Sequence, residues 1–164
     1  MAKKGRSPKK RDPNNAIIAQ HKRASHDFDL GDRWECGIVL RGSEVKSMRE
    51  STVRVAESFA RIKNNELWLY NLHVAPYSHS GSAFVHEPER PKKLLVHRAE
   101  INRIRVATDS NGLTLIPTRL YFKDGRVKIE IAAGRRKKQH DKRRDIAARE
   151  ADREAARAMG TKRG

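Results

Sequence analysis

Leu113-Thr-Leu-Ile-Pro-Thr-Arg-Leu-Tyr-Phe-Lys123, then Asp124-Gly125, then Arg126-Val-Lys-Ile-Glu-Ile-Ala132, is the stretch that decides the fold. Asp-Gly between two apolar runs is the strongest short-range hairpin signal, because both residues tolerate the positive φ of a primed turn. Arg126, Lys128 and Glu130 alternate strictly with Val127, Ile129 and Ile131, the period of a half-buried strand. Pro117 has no N–H for a ladder, so its strand is at an edge or bulged there.

Two further hairpins are expected upstream. Val55–Lys63 and Glu66–Val74 flank Asn64-Asn65, and two asparagines suit a tight primed turn. His26–Leu30 alternates apolar and acidic residues, Gly31-Asp32 supplies turn chemistry, and Trp34, Cys36, Ile38 and Leu40 fall on one strand face. Between these hairpins, Ser43 can cap a short helix in which Val45 and Met48 form an apolar pair. Residues 76–91 hold three prolines, three serines, a glycine and two histidines, a loop composition. Leu94, Ile101 and Ile104, with Val96, fit helical spacing and predict one amphipathic helix over Leu94–Val106 beginning near His97. Six strands in three hairpins with two short helices make an all-β core, a six-stranded OB-like barrel.

Charge divides the chain further. The 164 residues carry a net charge of +17, with 37 Lys or Arg against 20 Asp or Glu. Residues 1–24 hold eight bases and one acid, and residues 134–164 hold twelve bases and five acids, so each end is +7 and the middle only +3. Residues 1–15 read as a disordered basic N-terminus, 16–133 as the OB-like barrel and 134–164 as a basic tail. In the tail, Arg149, Arg153 and Arg157 stack at helical spacing, but Ile146 and Met159 are its only bulky apolar residues. A helix with no apolar stripe has nothing to dock on the barrel and is marginal alone, so the tail should fold on a partner. The likeliest partner for such cationic ends is a polyanion, and nucleic acid leads.

Chemistry is sparse. There is no phosphate loop, nucleophile elbow or His-Glu-x-x-His motif. Ser25-His26-Asp27 has triad residue types, but as strand neighbours they would point to opposite faces. His73, His79 and His86 read as solvated loop histidines, and Cys36, beside Trp34 and Ile38, as a small core residue. Neither an enzyme, a cofactor nor a metal is expected. Glu35 lies opposite the Trp34 and Cys36 face; it could accept base-edge protons, orient an arginine, or simply stand solvated. Phe28, Phe59, Trp68 and Tyr121 occupy positions that read as core, which leaves Tyr77 as the best exposed aromatic. Successive stacked bases need more aromatic faces than that, so folded RNA read by shape and phosphate fits better than single strands. Lys46 and Arg49 on the short helix, and Lys92 and Lys93 before the long one, are electrostatic candidates.

Five runs occur in order: Gly42-Ser-Glu-Val-Lys-Ser-Met-Arg49, Pro76-Tyr-Ser78, Pro88-Glu-Arg-Pro-Lys-Lys-Leu-Leu95, Leu120-Tyr-Phe-Lys-Asp-Gly-Arg-Val-Lys128 and Lys137-Lys-Gln-His-Asp-Lys-Arg143. By them the chain resembles the SmpB family of SsrA-binding proteins over roughly residues 17–159. The resemblance implies an adaptor that binds the tRNA-like domain of transfer-messenger RNA and brings it, with elongation factor Tu, to stalled ribosomes in the bacterial cytoplasm for trans-translation. A monomer with no membrane partner is implied as well. The tail would be disordered when free and helical in the empty decoding site and messenger channel. The family's RNA-contacting positions fall on His26, Glu35 and Leu95. Its decoding-site motif falls on Lys137, Lys138, His140, Asp141, Lys142 and Arg143, and an apolar tail position on Met159. The chain departs from the family pattern at His21, Ser25, Arg136 and Ala158. A structural ribosomal protein with an OB core is the alternative.

Overall fold

The computed structural model describes residues 12–50 and 53–161. Among them the strands are β1 (Ile17–Gln20), β2 (Phe28–Ile38), β3 (Val53–Arg54), β4 (Phe59–Lys63), β5 (Glu66–Tyr70), β6 (His73–Val74), β7 (Lys92–Leu95), β8 (Thr114–Lys123) and β9 (Arg126–Arg136). The α-helices are α1 (Ala24–Asp27), α2 (Gly42–Arg49), α3 (Arg98–Arg105) and α4 (Gln139–Thr161). A single π-helical turn, Val106–Ser110, extends α3. Residues 1–11 of the expected disordered N-terminus lie outside the described residues; Pro13–Asn15 form one 3-10 turn, where Asp12 accepts from the Asn14 N–H at 2.9 Å.

The main sheet runs β8-β4-β5-β7-β2-β9 and returns to β8, so six antiparallel strands form a ring. β4 and β1 share one edge of β8: Ala60 pairs with Leu115, and Gln20 with Arg119. Pro117 sits between those two contacts, at a register shift in the β8–β9 ladder, where a missing N–H leaves nothing unsatisfied. Asp124 and Gly125 have φ of 51° and 77°, and Asn64 and Asn65 have 51° and 59°, so both turns are primed as expected. Cys36, Leu67, Leu69, Leu94, Leu115, Leu120, Ile129 and Ile131 fill the ring.

The count of six strands holds, but three hairpins do not. Gly31-Asp32 makes no turn: it is a bulge between Leu30 and Arg33 in one continuous β2, and both halves pair with β9. The eleven-residue β9 offers backbone partners to the whole of β2, and folding back would forfeit them. The helix of residues 94–106 begins beside His97 as expected, but Leu94 is not part of it. Lys92–Leu95 is a strand between β5 and β2, and the helix begins only after His97, whose N–H is accepted by Glu100 at 3.2 Å. Leu94 faces the core by strand parity, which coincides with its helical spacing. Ser43 does not cap α2. Glu44 reaches back to accept from the Arg41 N–H at 2.7 Å, while the Ser43 hydroxyl meets His86 Nδ1 at 3.0 Å.

The tail helix is formed over Gln139–Thr161, and every residue from Ile146 to Gly160 is exposed. No helix among the described residues is long and apolar enough to cross a membrane.

Candidate nucleic-acid interface

Alternation along β7, β2, β9 and β8 turns a ladder of polar side chains outward, opposite the core. Glu130 on β9 is its centre. It accepts from Arg33 Nη1 and Arg119 Nη2, each at 3.0 Å, and from the Thr118 hydroxyl at 2.6 Å. Burial pushes its pKa up, but these donors prevail and hold the carboxyl below its ordinary value. One register step on, Glu35 stands directly across from Glu130. Both Glu35 oxygens are engaged, one by the Tyr121 hydroxyl and the other by Lys123 Nζ at 2.9 Å. Tyr121 and Lys123 therefore hold the Glu35 carboxyl below its ordinary value, and burial together with Glu35 pushes the Tyr121 phenol up.

The ladder ends at an exposed apolar spot. Gly37 pairs with Leu95, and a Cβ at Gly37 would come within 3.2 Å of the Leu95 Cβ. The absent side chain leaves Leu95 51% exposed at the rim of a cleft of about 470 Å³ that Glu35, His97, Glu100 and Lys128 also line. Such a surface presents cations to phosphate, a fixed carboxylate to base-edge donors, and an aliphatic contact to a sugar or base face.

His26 lies beyond the other end of the ladder, at the root of the tail. It is on a helical turn rather than a strand, so it does converge with its neighbour: Nδ1 is 2.9 Å from Asp27 Oδ1. Lys137 donates to the Ser25 carbonyl at 2.9 Å and pairs with Asp145, while Lys142 is 3.3 Å from Asp27. Lys138, His140 and Arg143 are exposed, His140 Nε2 is 2.9 Å from Asp141, and Met159 is 72% exposed. Of the departures, Ser25 meets the tail through its carbonyl, Arg136 closes the β2–β9 ladder opposite Phe28, and Ala158 is exposed.

Lys46 and Arg49 sit on α2, outside this ladder. Lys46 Nζ is 5.8 Å from the Tyr77 ring, and the Arg49 guanidinium lies 4.5 Å from the Phe122 ring. Lys93 is half-buried and bridges to Glu66 at 2.5 Å. Lys92 is corrected outright: it is fully buried, donating to the carbonyls of Leu72 at 3.2 Å and Arg90 at 3.0 Å, so it offers nothing to phosphate. His86 is not solvated either; it is buried against Ser43 and the Val74 carbonyl. Among the described residues, no three His, Cys, Asp or Glu side chains are grouped to hold a metal.

Tyr121, Arg33, Arg119 and Lys123 are the members that sequence reading missed. Tyr121 reads as core by composition, yet Leu120 and Phe122 both face inward, and strand parity then forces Tyr121 out. Phe59 and Trp68 are half-buried for the same reason, each beside an inward neighbour.

The sequence model of the SmpB protein family matches residues 18–161. The SsrA-binding protein of Desulforudis audaxviator is 51% identical over 148 residues, covering 90% of this chain and 95% of that protein. The SsrA-binding protein of Thermobifida fusca is 47% identical over 99% of this chain and the whole of its own length. A chain in the solved structure "tmRNA-SmpB: a journey to the center of the bacterial ribosome" superposes with a TM-score of 0.62 at 40% identity, over 74% of this chain and 85% of that one.

Proposed function

From the premise that the chain belongs to the SmpB family, we propose that it is the RNA-binding adaptor of ribosome rescue, bound to the tRNA-like domain of transfer-messenger RNA and carried with it to stalled bacterial ribosomes. The outward face of β7, β2, β9 and β8 grips the RNA. Glu35 and Leu95 lie at one end of that grip and His26 at the other, while Lys93, Lys46 and Arg49 add charge at its margins. Lys92 is left out because it is buried. The tail occupies the empty decoding site and messenger channel, with Lys137, Lys138, His140, Asp141, Lys142 and Arg143 in the first turns of α4 and Met159 near its end. Elongation factor Tu joins the complex, aminoacylation and peptidyl transfer belong to the partners, and the work takes place in the cytoplasm.

One observation carries this reading: a polar barrel face and a basic tail whose helix is exposed from Ile146 to Gly160, with no apolar stripe between them, are joined in one chain at Lys137. Two separate polyanionic surfaces satisfy that arrangement, and one does not. Ending the chain after Lys138 spares β9, which runs to Arg136, and removes the helix. We expect affinity for transfer-messenger RNA to stay within about threefold and tagging of stalled peptides to disappear, since binding and placement are separate steps. Loss of RNA affinity in the truncated protein would refute the division of labour. Uniform presence on all ribosomes, without transfer-messenger RNA, would instead point to a structural ribosomal protein.

A further inference from the structure

A cleft of about 620 Å³ opens between β2 and α3. Arg33 joins it to the polar ladder, since its Nη1 donates to Glu130 at 3.0 Å while its side chain lines the cleft. The Gly31-Asp32 bulge forms one wall and the start of the π-helical turn at Val106 the other. Bulges re-aim side chains, and both irregularities gather at functional sites. Trp34 also lines the cleft; it is only 8% exposed, yet its indole N–H donates to no protein acceptor among the described residues. A buried indole N–H ordinarily has a partner, so this donor is free for a guest. Asp32, Asn102 and Arg103 stand exposed at the rim, and neither Asp32 nor Arg103 makes an ion pair among the described residues. Val106, 58% exposed, adds an aliphatic surface.

We propose that this cleft holds one unstacked guanine nucleotide. Asp32 is the selective group. The Watson–Crick edge of guanine sets two N–H donors side by side, the match for a carboxylate, and adenine, cytosine and uracil present no such pair. Guanine O6 and N7 then accept from the Trp34 indole and the Asn102 amide. Arg33 and Arg103 take the phosphate, and Val106 packs on the base or sugar face. An acidic peptide would suit the two arginines but would bring like charge against Asp32. The volume admits one nucleotide and no duplex. The cleft stands on its own residues; that its nucleotide belongs to an RNA rests on the adaptor reading given above, through the link that Arg33 makes to the ladder.

The test titrates the full chain, with isotope-labelled tryptophan, against GMP, AMP, CMP and UMP. The indole N–H resonances of Trp34 and Trp68 are followed, the first assigned by its loss in Trp34→Phe. GMP should move the Trp34 signal, leave that of Trp68 in place, and bind about fivefold or more tighter than the other three nucleotides. Asp32→Asn, at an exposed position, should exchange this preference for one of about fivefold toward XMP, which carries a carbonyl where guanine has its amino group. An unmoved Trp34 signal, equal affinity for GMP and AMP, or an Asp32→Asn protein that still prefers GMP would each overturn the proposal. A shift of the Trp34 signal by transfer-messenger RNA alone makes that RNA the source of the nucleotide, and undiminished GMP binding in the RNA complex makes the source lie outside it. A chain that binds no transfer-messenger RNA would strike the adaptor reading, while the mononucleotide titration still decides the cleft.

Discussion

Glu44 and Lys92 are both fully buried, and each is held differently. Glu44 accepts from Arg90 Nη2 at 2.6 Å and the Arg41 N–H at 2.7 Å, with Lys92 Nζ 3.7 Å away. Burial raises its pKa, but these donors outweigh burial and hold the carboxyl below its ordinary 4.5. For Lys92 burial prevails and lowers the ammonium, because its hydrogen bonds go to neutral carbonyls and Glu44 is the more distant partner. Glu44→Gln keeps the volume and removes the charge, leaving Lys92 and Arg90 without their counter-ion. We expect it to destabilise the fold by about 3 kcal/mol at neutral pH, measured by urea unfolding. The pH dependence follows from the lowered carboxyl. Its stabilisation is complete above 4.5 and is lost as pH falls through the folded value, so the wild type should weaken on acidification more than Glu44→Gln does. Equal acid sensitivity in the two proteins would contradict the pairing.

Between strands, Gly134 marks the closest approach. A Cβ there would stand 3.0 Å from the Asp29 carbonyl oxygen and from Leu30 Cδ2, and 3.1 Å from Ile116 Cδ1. Backbone cannot retreat as a side-chain tip can, so Gly134→Ala should lower stability by about 1–3 kcal/mol in denaturant titration. A neutral result would mean that the ladder flexes there. At this scale the sequence is legible wherever one local signal settles the geometry: Asp124-Gly125 and Asn64-Asn65 turn as their chemistry demands. It is not legible where a distant partner decides. Gly31-Asp32 has the chemistry of a turn and becomes a bulge because β9, a hundred residues away, pairs across it. Leu94 satisfies helix and strand spacing alike, and only the vacancy between β5 and β2 chooses strand. On this face the outward placement of Glu35 is readable by alternation, whereas the Tyr121–Glu35 bond depends on which strands become neighbours. Lys92 was misread because a run of two lysines carries no sign of which one turns inward.

Across the whole chain, charge and burial are segregated. The ends contribute +7 each to the net +17, and among the described residues every buried apolar side chain lies between Ile18 and Ala133. Binding to a folded RNA should therefore release counterions from several phosphates. Plotting log affinity against log salt should give a slope of about −3 or steeper, and a slope shallower than about −1 would exclude phosphate neutralisation as the main grip. The same segregation sets the thermal character of the protein. The 23 residues of α4 lie almost wholly in water, so melting them uncovers hardly any hydrocarbon. The heat-capacity increment of unfolding scales with newly wetted apolar area, so a calorimeter registers this chain as a smaller molecule than its mass indicates, with the barrel alone supplying the cooperative peak.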